Sequence, residues 1–396
     1  MGESNMEIQN PDVSTHLRYT SRFYCRATSV RCGDCHVAIP TVKGLTMSDE
    51  TNPHRRRFVG TAFAAFAASQ VGLATSAAAQ SSSTSTPRVP AIKVGTHTSF
   101  GALKRIDAGV LSISYAEVGP ADGPPVLLLH GWPYDIYSFV DVAPLLADAG
   151  YRVLIPYLRG YGGTRFLSDN TPRNAQPAAV ATDAINFLDA LNIKKALVAG
   201  FDWGSRTVNL MAFLWPERCK ALVSVSGYVV ASQDAIANPL PPSAEYALWY
   251  LSYFGTDRGK VGYAKFAKDF NRLVWQVSSP KWAFDDATYN RSAKAFENPD
   301  FVQITLHNYR WYMRLEQGES KYDELEKKIA TFPTISLPAI TLEGDANGAL
   351  HSNPSAYAKK YVGKYEHRNI LGGIGHNLPQ EAPQAFAQAV IDVDHF

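Results

Sequence analysis

The feature that most constrains this chain is a glycine-flanked aspartate in the segment Gly200-Phe201-Asp202-Trp203-Gly204. The preceding run, 195–199, has the pattern of a short buried strand, and the run from Ser205 to Leu214 has a helical pattern. Such a strand-to-helix turn usually presents a serine nucleophile in a strained conformation between small glycines. An aspartate there favours displacement at a saturated carbon over attack on an ester, because that attack would form an anhydride. The alternative is an ordinary turn in which Asp202 only caps the helix.

The composition describes a globular protein without a strong overall charge. The chain has 396 residues, of which 46% are hydrophobic and 12% aromatic, so it can bury a large interior. Lys and Arg number 38 against 36 Asp and Glu, which leaves a net charge of only +2. A field this weak would not steer nucleic acid or an anionic membrane, so we expect no nucleic-acid partner and favour a small neutral ligand.

The cysteines predict neither a metal site nor an internal disulfide. Cys25, Cys32 and Cys35 lie near the N-terminus, and only Cys219 falls in the part that has the pattern of a folded domain. The Cys32 and Cys35 pair has the spacing of a redox or metal-binding motif. It lacks a second ligand pair at zinc spacing and a surrounding strand-helix pattern, so we disfavour both functions.

The N-terminal region resembles a twin-arginine export signal. Arg55 and Arg56 begin a basic stretch that is followed by an uncharged, Ala-rich run and then by small residues ending at Ala79. We therefore predict a signal peptide over 47–79 and an exported protein, periplasmic or secreted, cleaved near Ala79. A membrane anchor is the alternative, but the run is too short and too poor in large apolar residues for a stable span. Residues 1–46 are predicted to be an extension before the true start at Met47.

The remaining chain alternates short apolar strands with helices, and this rhythm predicts an α/β fold with a mostly parallel sheet covered on both faces. A linker is expected over 80–99, and the α/β pattern extends over 100–230 and 338–396. Between them, in 231–337, strand-like runs disappear and helical periodicity with dense aromatic residues takes over. We predict that this segment is an inserted helical cap.

Further polar groups follow other predicted strands. The apolar strand 126–129 leads into the loop His130-Gly131-Trp132-Pro133, the strand 339–342 leads to Asp345, and the last strand leads to a glycine-rich loop that carries His376. Because ligands and catalytic groups in open α/β sheets gather at the carboxyl ends of strands, we expect these groups to converge with Asp202 on one crevice. Read singly, each is an ordinary loop residue.

At this point the chain from about residue 100 resembles the α/β-hydrolase superfamily and, within it, the epoxide hydrolases. The resemblance rests on the loop 130–133 and on the Asp202-Trp203-Gly204 turn, which haloalkane dehalogenases share. It implies that Asp202 is the nucleophile, that His376 is the general base, and that Asp345 orients the histidine. It also implies that the backbone N–H groups of Trp132 and Trp203 form an oxyanion hole.

Epoxide hydrolases use a pair of cap tyrosines to hydrogen-bond the epoxide oxygen, and two segments of the cap are similar to those that carry them. We assign these roles to Tyr250 and Tyr309, with Tyr253, Tyr246 and Tyr312 as substitutes if the register differs. The chain contains 20 tyrosines, and most of them are expected to pack as ordinary aromatic residues.

The resemblance also places His130, Pro133, Trp249 and Trp311 around the substrate. It implies that an apolar epoxide is opened to a vicinal diol through an Asp202 ester, which a His376-activated water then hydrolyses, without metal or organic cofactor. Two alternatives remain open. A haloalkane dehalogenase would use the same triad, with the Trp203 indole and a cap tryptophan, Trp249 or Trp311, holding the halide. A catalytically silent protein would keep the fold for ligand capture.

Overall fold

A computed structural model describes residues 88–396, and nine strands in this part of the chain form one sheet. The strands are β1 Lys104–Ala108, β2 Leu111–Val118, β3 Pro125–Leu129, β4 Arg152–Pro156, β5 Arg165–Phe166, β6 Ala196–Gly200, β7 Cys219–Val225, β8 Ala339–Gly344 and β9 Tyr365–Ile370.

The strand order is β1-β2-β4-β3-β6-β7-β8-β9, with the short β5 paired beside β2. The pairs β1-β2, β2-β4 and β2-β5 are antiparallel, and every other pair is parallel. The strands predicted at 126–129, 195–199 and 339–342 lie within two residues of the observed β3, β6 and β8. The sequence pattern missed two strands. One is β1, a polar edge strand whose residues are mostly exposed, and the other is β5, which has only two residues.

Neither face of the central strands β3 and β6 is exposed to solvent. Val126 to Leu129 are fully buried, and the whole of β6 is buried as well. A parallel strand covered by helices on both sides reads as a continuous apolar run, which is the pattern the sequence has at these positions.

Helices cover the sheet and fill the segment between β7 and β8. They are α1 Val142–Asp148, α2 Pro177–Ala190, α3 Trp203–Leu214, α4 Gln233–Ile236, α5 Pro242–Ala247, α6 Trp249–Gly255, α7 Asp257–Ser278, α8 Asp286–Ala293, α9 Phe301–Tyr312, α10 Asp323–Ile329, α11 Pro354–Tyr357, α12 Leu378–Glu381 and α13 Pro383–Asp394. The pair α2 and α3 packs on one face of the sheet, and the pair α1 and α13 packs on the other.

The segment between β7 and β8 contains helices α4 to α10 and no named strand. Its aromatic side chains pack densely on one another and on the loop after β3. Phe254, for example, contacts the rings of Trp132 and Tyr309. Within residues 88–396 this segment and the sheet belong to one compact unit. The cap comprises residues 231–337.

The predicted extension, signal peptide and N-terminal cysteines lie outside the described residues. Among helices within 88–396, none combines the length and the apolar character that a membrane span requires. Cys219, on β7, is a buried free thiol.

Candidate active site

Asp202 lies at the turn between β6 and α3 in a strained backbone conformation, with φ 54° and ψ −122°. This region is costly for a residue with a side chain, by about 1–3 kcal/mol. Gly204 permits the turn, because a Cβ atom at this position would collide with the carbonyl oxygen of Leu129. The tight packing of strand against helix therefore holds the Asp202 carboxylate at the N-terminus of α3, where the helix dipole favours negative charge.

Two backbone N–H groups converge on the same oxygen of Asp202. Trp132 N donates to Oδ1 at 2.7 Å, and Trp203 N donates to it at 2.6 Å. Gly131 allows this approach, since any Cβ there would overlap the Asp202 side chain. These are the two donors that the sequence assigned to an oxyanion hole. In this structure they hold one oxygen of the carboxylate and leave Oδ2 free to react.

His376 contacts the second oxygen of Asp202, Oδ2, which the backbone does not hold. Its Nε2 lies 3.3 Å from Asp202 Oδ2, and its ring packs against Tyr134 and Phe201. The other ring nitrogen, Nδ1, is buried and has no hydrogen-bond partner within the described residues. The histidine is therefore beside the carboxylate and can act on a water molecule held near it.

Asp345 does not contact His376, which differs from the role assigned from the resemblance. Its carboxylate is exposed and accepts hydrogen bonds from Gly372 N at 3.2 Å, Gly373 N at 2.8 Å and Ile374 N at 2.9 Å. Partial loss of hydration raises the pKa of Asp345, but the three backbone hydrogen bonds together outweigh it, so the pKa is lowered. Since the next residues of this loop lead to His376, Asp345 supports the histidine through the loop backbone and not through its imidazole.

A second acid, Glu381, fixes the His376 loop from its buried side, and the sequence analysis missed it. Glu381 accepts hydrogen bonds from Ser279 Oγ at 2.7 Å, from Gly375 N at 2.7 Å and from Asn377 N at 3.1 Å. Ser279 Oγ in turn accepts from His376 N at 2.9 Å. Burial raises the pKa of Glu381, and its hydrogen bonds and the nearby histidine oppose the rise. Only the fold brings Ser279, just beyond α7, to this loop.

A cavity of about 450 Å³ opens above Asp202, between the sheet and the cap. Asp202, His376 and residues of the cap share its wall, and the remainder of the wall is largely apolar. Its principal lining residues are Asp202, Trp203, Arg206, Tyr228, Val229, Ile236, Leu248, Tyr250, Leu251, Tyr309, Tyr312 and His376. The volume suits a small organic molecule.

The two tyrosines chosen from the cap both line this cavity. The rings of Tyr250 and Tyr309 are 5.4 Å apart, and Tyr309 Oη accepts a hydrogen bond from Trp203 Nε1 at 3.3 Å. Burial raises the pKa of both phenols, and the charge of Asp202 raises it further. Both hydroxyls therefore stay protonated and are available as donors. Of the substitutes, Tyr312 also lines the cavity, whereas Tyr246 is 82% exposed and Tyr253 does not line it.

Trp249 and Trp311 do not line this cavity, which corrects their assignment. Trp249 packs on Phe270 at the outside of the cluster, and Trp311 lines a separate cavity of the cap. Helical geometry explains the second error. Tyr309 and Trp311 are two residues apart on α9, so their side chains point to different faces, whereas Tyr309 and Tyr312 share one.

His130 and Pro133 are buried structural residues and do not line the cavity. His130 Nε2 accepts from Leu158 N at 3.2 Å, so its Nδ1 carries the proton and donates to the carbonyl of Gly131 at 3.1 Å. Pro133 accepts a hydrogen bond from Trp275 Nε1 at 2.7 Å through its carbonyl. Both residues hold the loop that carries Trp132 N, because strand ends inside a covered sheet must satisfy their polar groups locally.

Comparison with known proteins accords with this geometry. The family model of the alpha/beta hydrolase fold matches residues 124–325. The chain belongs to the alpha/beta hydrolase fold family. This confirms the fold predicted from the sequence.

Several relatives of this α/β-hydrolase bear names of one activity. A crystal structure named "putative epoxide hydrolase", from Klebsiella pneumoniae, is 55% identical, has a TM-score of 0.74, and matches over 74% of this chain and 97% of its own. Epoxide hydrolase A of Mycobacterium tuberculosis is 24% identical over 72% of this chain and 95% of its own length. Epoxide hydrolase 3 of Siraitia grosvenorii is 36% identical, but the match spans only 33% of this chain and 40% of that protein.

We predict that the buried His130 makes stability depend on pH. Burial lowers the pKa of His130 from 6.5 to about 4, so between these values the unfolded chain binds a proton that the folded chain does not. Stability is complete above pH 6.5 and falls as the pH drops toward 4, by roughly 3 kcal/mol from this residue.

Denaturant unfolding of wild type and His130→Gln at pH 7 and pH 4 tests this expectation. The stability advantage of the wild type over the variant should shrink by about 3 kcal/mol at the lower pH. An advantage that is the same at both pH values would contradict a neutral, buried His130.

Proposed function

We propose that this α/β-hydrolase is an epoxide hydrolase that opens an epoxide to a vicinal diol through a covalent Asp202 ester. The observation that carries the proposal is that one cavity brings together a carboxylate, a histidine and two protonated tyrosines. Backbone N–H groups bind one oxygen of the carboxylate, and the histidine contacts the other. The names of the relatives point to the same activity.

The first step uses the free oxygen of the nucleophile. Asp202 Oδ2 attacks an epoxide carbon, the carbon–oxygen bond of the ring breaks, and the oxygen receives a proton donated through Tyr250 and Tyr309. Hydrogen bonding to the ring oxygen is needed, because an alkoxide is otherwise a poor leaving group. Positioned proton donors contribute typically about 10²–10⁴-fold to such a step.

The second step uses the oxygen that the backbone already holds. In the ester, Asp202 Oδ1 is the carbonyl oxygen, and it stays beside Trp132 N and Trp203 N. His376 Nε2 takes a proton from water, and the hydroxide attacks Cγ of Asp202, so the negative charge develops on Oδ1. Each preorganised donor stabilises that charge by roughly 3 kcal/mol. Collapse then breaks the bond between Cγ and Oδ2, and the protonated His376 returns its proton to the departing alkoxide, so the diol leaves with Oδ2. The carboxylic acid that remains gives its proton back to the tyrosine pair, which restores the carboxylate and both phenols.

The geometry gives less support to haloalkane dehalogenation. A halide site needs free indole N–H groups, but Trp203 Nε1 donates to Tyr309 and Trp132 Nε1 donates to Tyr263 Oη at 2.9 Å. The cap tryptophans considered from the sequence, Trp249 and Trp311, do not reach the cavity. Parallel measurement of diol and halide release on one preparation separates the two reactions.

We expect one oxygen of the first diol to come from Asp202. In a single turnover in H₂¹⁸O, the first diol should be unlabelled, and the label should enter the carboxylate of Asp202 before appearing in later turnovers. Mass spectrometry of the diol and of the peptide that contains Asp202 measures both. Label in the first diol would contradict the ester route, and Asp202→Asn should lower kcat by a factor on the order of 10⁴.

The cap tyrosines should act together. Replacing Tyr250 or Tyr309 by Phe removes one donor to the epoxide oxygen, and we expect kcat to fall about 10- to 100-fold for either variant and further for the double variant. Tyr246→Phe is the matched control, since Tyr246 is on the cap but 82% exposed. Equal activity of the double variant and this control would remove the tyrosines from the mechanism.

Glu381 should matter for turnover more than for binding. Glu381→Gln places an amide among groups that all donate, so the His376 loop shifts, and we expect kcat to fall by about 10-fold or more with little change in KM. Glu366→Gln, at an exposed position of β9, is the control. A loss of thermal stability without a loss of kcat would show that Glu381 supports only the fold.

A further inference from the structure

Arg206 is a buried cation on the wall of the catalytic cavity, and the mechanism above does not use it. It lies on α3 four residues after Asp202, is 7% exposed, and is the one charged residue of that helix. Arg206 and Asp202 both line the cavity between the sheet and the cap.

The guanidinium of Arg206 is held rigidly but is only partly hydrogen-bonded. It lies over the rings of Trp203 and Tyr312, at 5.3 Å and 5.6 Å from their centroids, and its Nη1 donates to Tyr312 Oη at 3.3 Å. Its Nε and Nη2 are buried and have no partner within residues 88–396. A preorganised group with free donors is suited to bind a ligand.

The charge of Arg206 is also uncompensated. No carboxylate in the described part of the chain forms an ion pair with it. Glu326 interacts with it only at longer range, accepts a hydrogen bond from Ala178 N at 2.8 Å, and has a pKa that burial raises to about 7. A buried cation without an anion is costly, so an anionic ligand would be strongly favoured here.

The free edge of Arg206 matches a planar carboxylate, and another arginine of this chain shows the geometry. Arg159 uses its Nε and Nη2 to bind both oxygens of Asp183, at 2.6 Å and 2.8 Å. These are the same two nitrogen positions that are unpartnered in Arg206. Two parallel N–H donors fit carboxylate oxygens better than a single neutral acceptor such as an amide carbonyl.

We propose that Arg206 binds a carboxylate of the substrate, so that the preferred substrates are small epoxides that carry a carboxylate near the ring. This inference rests on the proposed function. Asp202 and Arg206 line the same cavity of about 450 Å³, so one small molecule bound there can contact both. The pairing also removes the repulsion that a substrate carboxylate would meet beside the Asp202 carboxylate.

The first test compares 2,3-epoxybutanoate with 2,3-epoxybutanamide, which differ in charge and little in shape. The wild type should show a higher kcat/KM for the acid, by about 10-fold or more. Arg206→Gln should lower the ratio of acid to amide by about 10- to 100-fold. Arg206→Lys should lower it less, because lysine keeps the positive charge but lacks the two parallel N–H donors of the guanidinium. Arg258→Gln, at an exposed cap position, makes the same charge change and should leave the ratio unaltered.

A wild-type ratio of kcat/KM for acid to amide of one or below, or a ratio that survives Arg206→Gln, would overturn the inference while leaving epoxide hydrolysis intact.

A second test needs neither turnover nor a variant. Butanoate should quench the tryptophan fluorescence of the wild type at concentrations where butanamide and chloride, at equal ionic strength, do not. Quenching without any epoxide turnover would reject the proposed function and keep the carboxylate site. No preference for butanoate would reject the site.

Discussion

The active site depends on the hydrogen bonds that Trp132 N and Trp203 N donate to Asp202 Oδ1. They distinguish the two oxygens of the carboxylate, and in the proposed mechanism they lie where negative charge develops in the second step. Their positions come from rigid parts of the fold, namely the end of β3 and the first turn of α3. Close packing at Gly131 and Gly204 sets the distance between these parts, because larger residues would force them apart.

The cap covers the cavity and also supplies polar groups to the site. It supplies the phenols of Tyr250 and Tyr309, and Ser279, which follows its long helix α7, donates to Glu381 and accepts from His376 N. The loop that carries His376 is therefore held by two acids. Asp345 binds the N–H groups of residues 372–374, and Glu381 binds those of Gly375 and Asn377. A shift of the cap would be transmitted to His376 through Ser279, since these bonds are short and buried.

Arg206 places a positive charge on the wall of a cavity that is otherwise largely apolar and aromatic. The rings of Trp203 and Tyr312 keep the guanidinium in place while leaving its Nε and Nη2 edge unpartnered. The dense aromatic residues of the cap suggested an apolar epoxide, and most of the wall is indeed apolar. The one buried cation adds a preference for a substrate that is apolar at the ring and anionic beside it.

The amino-acid sequence determined the sheet, the turn at Asp202 and the loops that carry Trp132 and His376, because apolar runs, flanking glycines and strand ends are local signals. It also contained the signal for Arg206, a lone charge four residues from the nucleophile. Only the tertiary structure decided which side chains reach the cavity. Asp345 binds loop N–H groups, Trp311 lies on the opposite face of α9 from Tyr309, and Glu381 meets His376 through Ser279, which is 102 residues away from Glu381. Such contacts depend on side-chain direction and on packing between distant segments, which no local pattern encodes.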